Sequence, residues 1–474
     1  MSEVLIMKRA HSFLKLSLIL LSVGNVILLL SIVLNKSSNQ IKFLQKFKQE
    51  FFKASSYSEL VDHYRFSSIS RTKNNAYLDY AKTNFYPDSQ LRSFINELHE
   101  KLYGNTHSES PSARLSSDTV ADMRSYILEY LGITESAKYI VVFTYSHAQA
   151  LKLIAETFNF DYNSTFLFST SSSNNILGLR GFATQNKAKT ASFDINSELN
   201  IEFENNTRNL IAFPLVDEFD GSTLSTHKMQ EIIKASNKYA NTYTLADASL
   251  YLPFNNIDLK ELPFSALAIS FDRLFGYPSM GAAIIKDDFV KTLKKPYFGG
   301  GTLVFALPNE DYEKMRVNPS FKLEDGSLPF LSIAALKNGF SLLKETNMGG
   351  KTSNIRSLRL RLKNGLMAIE RKSGSKAVTI YESEKSDSIV TFNVLDDEKR
   401  PFYYRDVIES AAKANITLSG GCMNTPGTCM KYLNKTSDDL KKEDFGAIRA
   451  SLGWASTMDD VDMLINFIKD FSNK

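Results

Sequence analysis

The sequence is poor in cysteine: there are two in 474 residues, Cys422 and Cys429, both inside one Gly-rich segment. Two thiols cannot supply a disulfide-stapled scaffold or a four-cysteine zinc site within the chain. Histidine is scarce as well, and none of the six stands at a metal-ligand spacing. A surplus of charge is missing. The formal net charge is +4, and no Arg/Lys stripe with interleaved aromatics occurs, which argues against a nucleic-acid partner. With 43% hydrophobic and 23% charged residues, extended disorder and collagen-like classes are excluded, and the chain is long enough to bury a sizeable core.

Long uncharged apolar runs are absent except for one, LSLILLSVGNVILLLSIVL at 16–34. Its length is close to the roughly 20 residues a helix needs to cross hydrocarbon. A cleaved signal peptide is the rival reading, but its apolar region is normally shorter and ends in an A-x-A-like site, which Ile32-Val33-Leu34-Asn35 is not. The sequence therefore predicts a tail at 1–15, a single transmembrane helix at 16–34 in a lipid bilayer and a stalk at 35–74. Lys8, Arg9 and Lys15 flank one end of the span, and Lys36, Lys42, Lys46 and Lys48 the other, a distribution that leans weakly toward a cytosolic body. Asn163-Ser164-Thr165 and Asn415-Ile416-Thr417 are N-x-S/T sequons, but a chain this rich in Asn, Ser and Thr produces such triplets by chance. Phe43, Phe47 and Phe51 give the stalk an amphipathic spacing suited to a membrane surface, with a plain helix packed on the body as the alternative.

Beyond Asn75 helical patterns at 90–103 and 119–131 precede apolar runs at 139–143, 165–168, 210–213, 243–245 and 267–270. That order predicts an α/β body, a mostly parallel sheet covered by helices on both faces. In such sheets the ligand site lies beyond the carboxyl ends of the strands.

At those strand ends the motifs AYLDYA (76–81), YGNTHS (103–108), LADA (245–248), SFDRLFGYPSMG (270–281), FGGGT (298–302) and LEDGS (323–327) occur in order. This ordered set resembles the fold-type I, class V pyridoxal-phosphate enzymes from about Asn75 to the C-terminus. YFGGGT (297–302), FNVLDD (392–397) and GCMNTPGTC (421–429) are similar to segments of the aminotransferase-like domain of molybdenum-cofactor sulfurases. The resemblance implies a large pyridoxal-phosphate-transferase-like domain at 75–330 and a small C-terminal α+β domain at 331–474. It also implies a homodimer, a cofactor held as a Schiff base, and sulfur taken from L-cysteine to a persulfide. The last helix, 456–471, should be core, with Ser456 and Asp459 as a capping box.

Position by position, the resemblance exposes departures. Where the Schiff-base lysine belongs the chain has Arg273, with Leu274-Phe275-Gly276 and Gly281 fixing the register. Arginine stays protonated and is no substitute nucleophile. The phosphate turn reads Tyr145-Ser146-His147-Ala148, the ring-stacking histidine falls at Ser173, and the asparagine beside the cofactor oxygen falls at Glu218. Asp247 matches the carboxylate that protonates the pyridine nitrogen, Thr302 lies in the loop that reaches the neighbouring subunit's phosphate, and Arg449 matches the substrate-carboxylate clamp. Asp247 could equally satisfy strand-end amides, and Arg449 a structural ion pair. Cys422 stands in the loop of the family's persulfide cysteines; a reactive thiol, a local disulfide with Cys429 and two inert thiols all remain open.

These departures predict a pseudoenzyme that works by binding or scaffolding, as a homodimer or a heterodimer with a related protein. Pyridoxal phosphate, if held at all, would not be bound covalently. The alternative is an active cysteine desulfurase or sulfurtransferase holding the cofactor through Asp247 and using Cys422. A third reading is an anionic small-molecule ligand at Arg273 and Arg449.

Overall fold

A computed structural model of the chain describes residues 57–67, 74–135, 138–197, 201–204, 206–346, 348–383 and 385–473. The span at 16–34 and the Phe43, Phe47 and Phe51 stripe lie outside them. Among the described residues no helix is long and apolar enough to cross a membrane. The chain divides into two units, 1–60 and 61–474, and of the first only the helical residues 57–60 are described.

Within the second unit, the end of the segment read as a stalk packs as a plain helix on the body. Tyr64 stands edge-on to Trp454 with ring centroids 5.4 Å apart, and the Arg65 guanidinium reaches both Asp460 oxygens at 2.9 and 3.0 Å. Strand β1 (Ala76–Tyr77) follows.

The central sheet has seven strands: β2 (Tyr139–Thr144), β3 (Thr165–Ser169), β4 (Lys189–Phe193), β5 (Asn209–Pro214), β6 (Thr242–Asp247), β7 (Ala266–Ser270) and β8 (Gly281–Lys286). Their spatial order is β2-β8-β7-β6-β5-β3-β4. All neighbours pair parallel except β8, which runs antiparallel to both β2 and β7. Strands such as NLIAFP and ALAIS are apolar throughout because both faces are covered and alternate side chains are buried on each. One face packs Val142, Phe166, Leu210, Leu245 and Ala266 against Leu151 and Ile154 of the helix His147–Thr157. Strands β4 and β8 are absent from the sequence reading. The segment KTASF is mostly exposed and carries no apolar run, and the β8 segment registers there only through the motif glycine Gly281.

A hairpin of β9 (Leu303–Ala306) and β10 (Glu313–Met315) leads to the helix Phe330–Glu345. That helix packs back on the large body, its Ala334 and Ala335 buried against Phe94. The second sheet comprises β11 (Val378–Tyr381), β12 (Ile389–Val394), β14 (Ser419–Gly421) and β15 (Ala447–Ser451), all antiparallel in the order β11-β12-β15-β14. Strand β13 (Ile416–Thr417) pairs instead with β1, Ala76 opposite Ile416, so the start of the body is stitched into the C-terminal layer. Ala76 and Leu78 share a core with Phe392, Ile448, Leu464 and Ile468.

The capping box of the last helix is shifted by one residue from its expected place. The helix runs Met458–Phe471, Thr457 is the cap and Asp460 its reciprocal partner. Ser456 is not free for the role, because its hydroxyl accepts from the Gly453 amide at 3.0 Å.

Candidate functional site

The strand ends place the site. Strand β5 ends in Pro214 and leads to Glu218, β6 ends in Asp247, and β7 ends in Ser270, whose side chain caps the short helix Phe271–Phe275 that carries Arg273. Opposite them, the helix His147–Thr157 starts at its cap Ser146, whose hydroxyl accepts from the Gln149 amide at 3.2 Å. Gly281 lets β8 approach this turn: a Cβ there would lie 2.5 Å from the His147 nitrogen.

Arg273 is buried, and its Nη1 donates to Glu218 Oε1 at 3.0 Å and to Ser249 Oγ at 2.9 Å. Burial alone would lower the guanidinium, but Glu218 and Asp247 raise it above its ordinary value. Burial likewise works to raise Glu218, and Arg273, Lys82 and Arg449 outweigh it, holding the carboxyl below its ordinary value. Both shifts favour the ionised pair. The second Glu218 oxygen makes no hydrogen bond, but the Lys82 ammonium stands 3.6 Å away.

Asp247 is held by His147 Nε2 at 3.2 Å and by the Ser249 amide at 3.0 Å. Burial would raise its carboxyl, and His147 and Arg273 together depress it far below the usual carboxylate range. Arg449 is fully buried; its Nη1 donates to the Glu218 carbonyl at 2.7 Å, and its Nη2 to Ser419 Oγ at 3.3 Å and Asp79 Oδ1 at 3.4 Å. Both terminal nitrogens of the presumptive clamp are thus engaged by protein acceptors.

Ser173 is buried beside the same space, and its hydroxyl has no partner. Thr302 does not join the group: its hydroxyl donates to the Gly299 carbonyl at 2.7 Å within its own loop. The thiol of Cys422 is not free, because Cys422 and Cys429 form a disulfide. The helix Pro426–Leu433 that carries Cys429 closes over the loop after β3. Gly427 permits this approach, since a Cβ would lie 2.1 Å from the Thr170 carbonyl oxygen. The same helix grips two buried carboxylates, Thr428 donating to Asp217 and Tyr432 to Asp220, the latter at 2.9 Å. Among the described residues no cluster of histidine, cysteine and carboxylates could hold a metal.

The gap lined by Ser173, Pro214, Val216, Glu218, Asp247, Ser249, Leu250 and Thr425 is too narrow to admit a water-sized body. Pockets that take a small organic ligand commonly measure about 300–1,000 Å³. With Arg273 paired to Glu218 and Ser249 where the family has its Schiff-base lysine, the residues present do not fit pyridoxal phosphate held as a Schiff base. Sequence reasoning missed Lys82, Ser249 and Ser419. Lys82 and Ser249 each lie within three residues of a quoted motif aspartate, which is the only signal the sequence carries for them.

An α/β body with a seven-stranded sheet covered on both faces and an aspartate and arginine at adjacent strand ends defines an aminotransferase-type architecture. The chain belongs to the aminotransferase class-V family, whose match covers residues 76–464. It is 29% identical to the molybdenum cofactor sulfurase of Solanum lycopersicum, over 92% of this chain and 60% of that protein. With the sulfurase of Arabidopsis thaliana it shares 30% identity over 84% of this chain and 56% of that protein. The chain thus spans between half and three-fifths of the length of these curated relatives. Among solved structures it is similar in fold to the apo cysteine desulfurase of Thermococcus onnurineus, with a TM-score of 0.72 and 19% identity over 87% of this chain and 98% of that one. The cysteine desulfurase CsdA of Escherichia coli gives 0.70 and 17% over 86% and 98%.

Proposed function

We propose that this protein is a membrane-anchored member of the aminotransferase class-V family that has kept the fold and given up covalent cofactor chemistry, a pseudoenzyme that acts by binding. The observation that carries this reading is the buried Arg273–Glu218 pair at the Schiff-base position. A permanently charged guanidinium cannot attack an aldehyde, and this one is already committed to Glu218 and Ser249. The anchor is the 16–34 segment, on its length and lack of charge.

The alternative of a working sulfurtransferase is weakened twice over: Asp247 is committed to His147 and Ser249, and Cys422 to Cys429. An anionic ligand at Arg273 and Arg449 would have to displace the acceptors they already hold, Glu218 and Ser249 for the first and the Glu218 carbonyl, Ser419 and Asp79 for the second. The partner is a second copy of the chain or a related protein. Tyr297, Phe298, Val304, Phe305, Tyr312 and Val317 are exposed around the β9–β10 hairpin, an apolar concentration that marks a protein contact.

The test is to purify the full chain in detergent, incubate it with pyridoxal phosphate, reduce with borohydride and map the peptides. We expect no visible absorption band and no modified lysine. A band trapped on one lysine would overturn the assignment. Light scattering on a Val304→Asp/Phe305→Asp variant tests the partner surface, which predicts a shift to monomer.

A further inference from the structure

A disulfide and a set of exposed sequons bear on the side of the membrane, which the sequence leaves open. Three N-x-S/T triplets fall among the described residues: Asn163-Ser164-Thr165, Asn415-Ile416-Thr417 and Asn434-Lys435-Thr436. All three asparagines are exposed, as an attached glycan requires. Each also sits where the chain turns outward. Asn163 occupies the turn before β3; Asn415 follows the helix Tyr404–Lys413 in the left-handed region at φ 59°; and Asn434 ends the helix Pro426–Leu433 at φ 51°. A glycan on any of them would extend into solvent without displacing packed side chains.

The exposed apolar face around the β9–β10 hairpin carries no acceptor triplet. Its one N-x-S there is Asn318-Pro319-Ser320, and proline at the middle position excludes glycosylation. The Asn318 side chain is in any case used to cap the helix Pro319–Leu323, accepting from the Ser320 amide at 2.9 Å.

The second, independent observation is the Cys422–Cys429 disulfide. Both cysteines of the sequence are consumed in it, and Cys429 is fully buried. Disulfides of this structural kind form and persist in oxidising compartments, the same compartments in which Asn-linked glycans are attached.

We propose that the body of this protein lies on the non-cytosolic side of its membrane, carries N-linked glycans on Asn163, Asn415 and Asn434, and is oxidised at Cys422–Cys429. This places it on the side opposite to that suggested by the basic residues flanking the 16–34 span, whose count differs by a single lysine. Forming the disulfide joins the two sulfurs and releases two protons and two electrons, which the thiol-oxidising machinery of such a compartment accepts as disulfide exchange.

The test expresses the full chain in a eukaryotic cell line and treats membranes with an amidase specific for N-glycans. In a background carrying Asn35→Gln and Asn205→Gln, which removes the two other acceptor triplets of the sequence, the expected result is a mobility shift that falls stepwise in Asn163→Gln, Asn415→Gln and Asn434→Gln and is abolished in the triple variant. In parallel, a maleimide reagent should label no cysteine in the denatured protein before reduction and two after it. A full-length chain with no shift, or with both thiols labelled without reduction, would overturn the proposal. A shift that survives the triple variant would overturn the assignment of the sites. The thiol readout holds even where a glycosylation variant fails to fold.

Discussion

Replacing Arg273 by alanine removes the positive partner from the Glu218 carboxylate while leaving that carboxylate buried. Breaking a buried ion pair from one side costs about 3–5 kcal/mol; Glu218 would lose its nearest counterion and has little water to replace it, while Lys82, 3.6 Å from its other oxygen, keeps the loss toward the lower end. Unfolding entropy is about 2.1 cal/mol/K per residue, so a body of about 400 residues should lose about 3–6 °C in Tm. Acidification supplies the control. In the native protein Arg273, Lys82 and Arg449 overcome burial and hold the Glu218 carboxyl below its ordinary value. The pair's contribution is thus present above about pH 4.3 and lost as pH falls through the lowered folded value. Without Arg273 the burial effect pushes that carboxyl up, so it takes a proton sooner and the penalty of Arg273→Ala should shrink on acidification. The double replacement Arg273→Met with Glu218→Leu removes both charges and should recover most of the lost stability, since apolar substitutes for a buried pair are often neutral or better. Thermal melts followed by circular dichroism at pH 7.5 and pH 4.5 read all three proteins. A Tm for Arg273→Ala within 1 °C of the parent at neutral pH would refute the reasoning, because Glu218 would then be solvated or fully compensated by Lys82 and Arg449 without Arg273.

Three further outcomes follow from the same geometry. Burial and the neighbouring Asp220 raise the Asp217 carboxyl, so this group adds stability as pH falls through its raised folded value toward the ordinary 3.9 or so. In Asp217→Asn that increment should disappear from a Tm-against-pH series, and an unchanged pH slope would count against the buried-carboxylate account. Closing the short loop between Cys422 and Cys429 is worth about 2–3 kcal/mol on chain entropy, so a reductant should lower the Tm of the parent and leave Cys422→Ser/Cys429→Ser unaffected. Gly281→Ala would drive a Cβ to 2.5 Å from the His147 backbone nitrogen, and we expect a loss of about 1–3 kcal/mol in urea melts from the forced backbone shift; no change would mean that β8 does not approach this turn so closely.

How much was legible follows from how local each feature is. The apolar runs NLIAFP and ALAIS, separated by helical patterns, announced a covered parallel sheet because burial on both faces leaves no polar positions in a strand. Arg273 could be assigned to the Schiff-base position because Leu274-Phe275-Gly276 and Gly281 flank it within a few residues. The strand β4 was hidden by its exposed, polar residues, and the last helix shifted its cap from Ser456 to Thr457 because Gly453 takes the serine.

By itself, then, the sequence determined the fold class, the order of the site segments and the absence of a lysine where one was expected, all properties of neighbouring residues. Only the tertiary structure decided what Arg273 does instead. Its carboxylate partner lies 55 residues away in sequence, Arg449 reaches Asp79 across 370, and Cys422 became a disulfide because a buried helix turn brings Cys429 to it. Charge neutralisation in a dry interior is set by distance in space, and a chain of this length offers many carboxylates to each guanidinium until packing selects one.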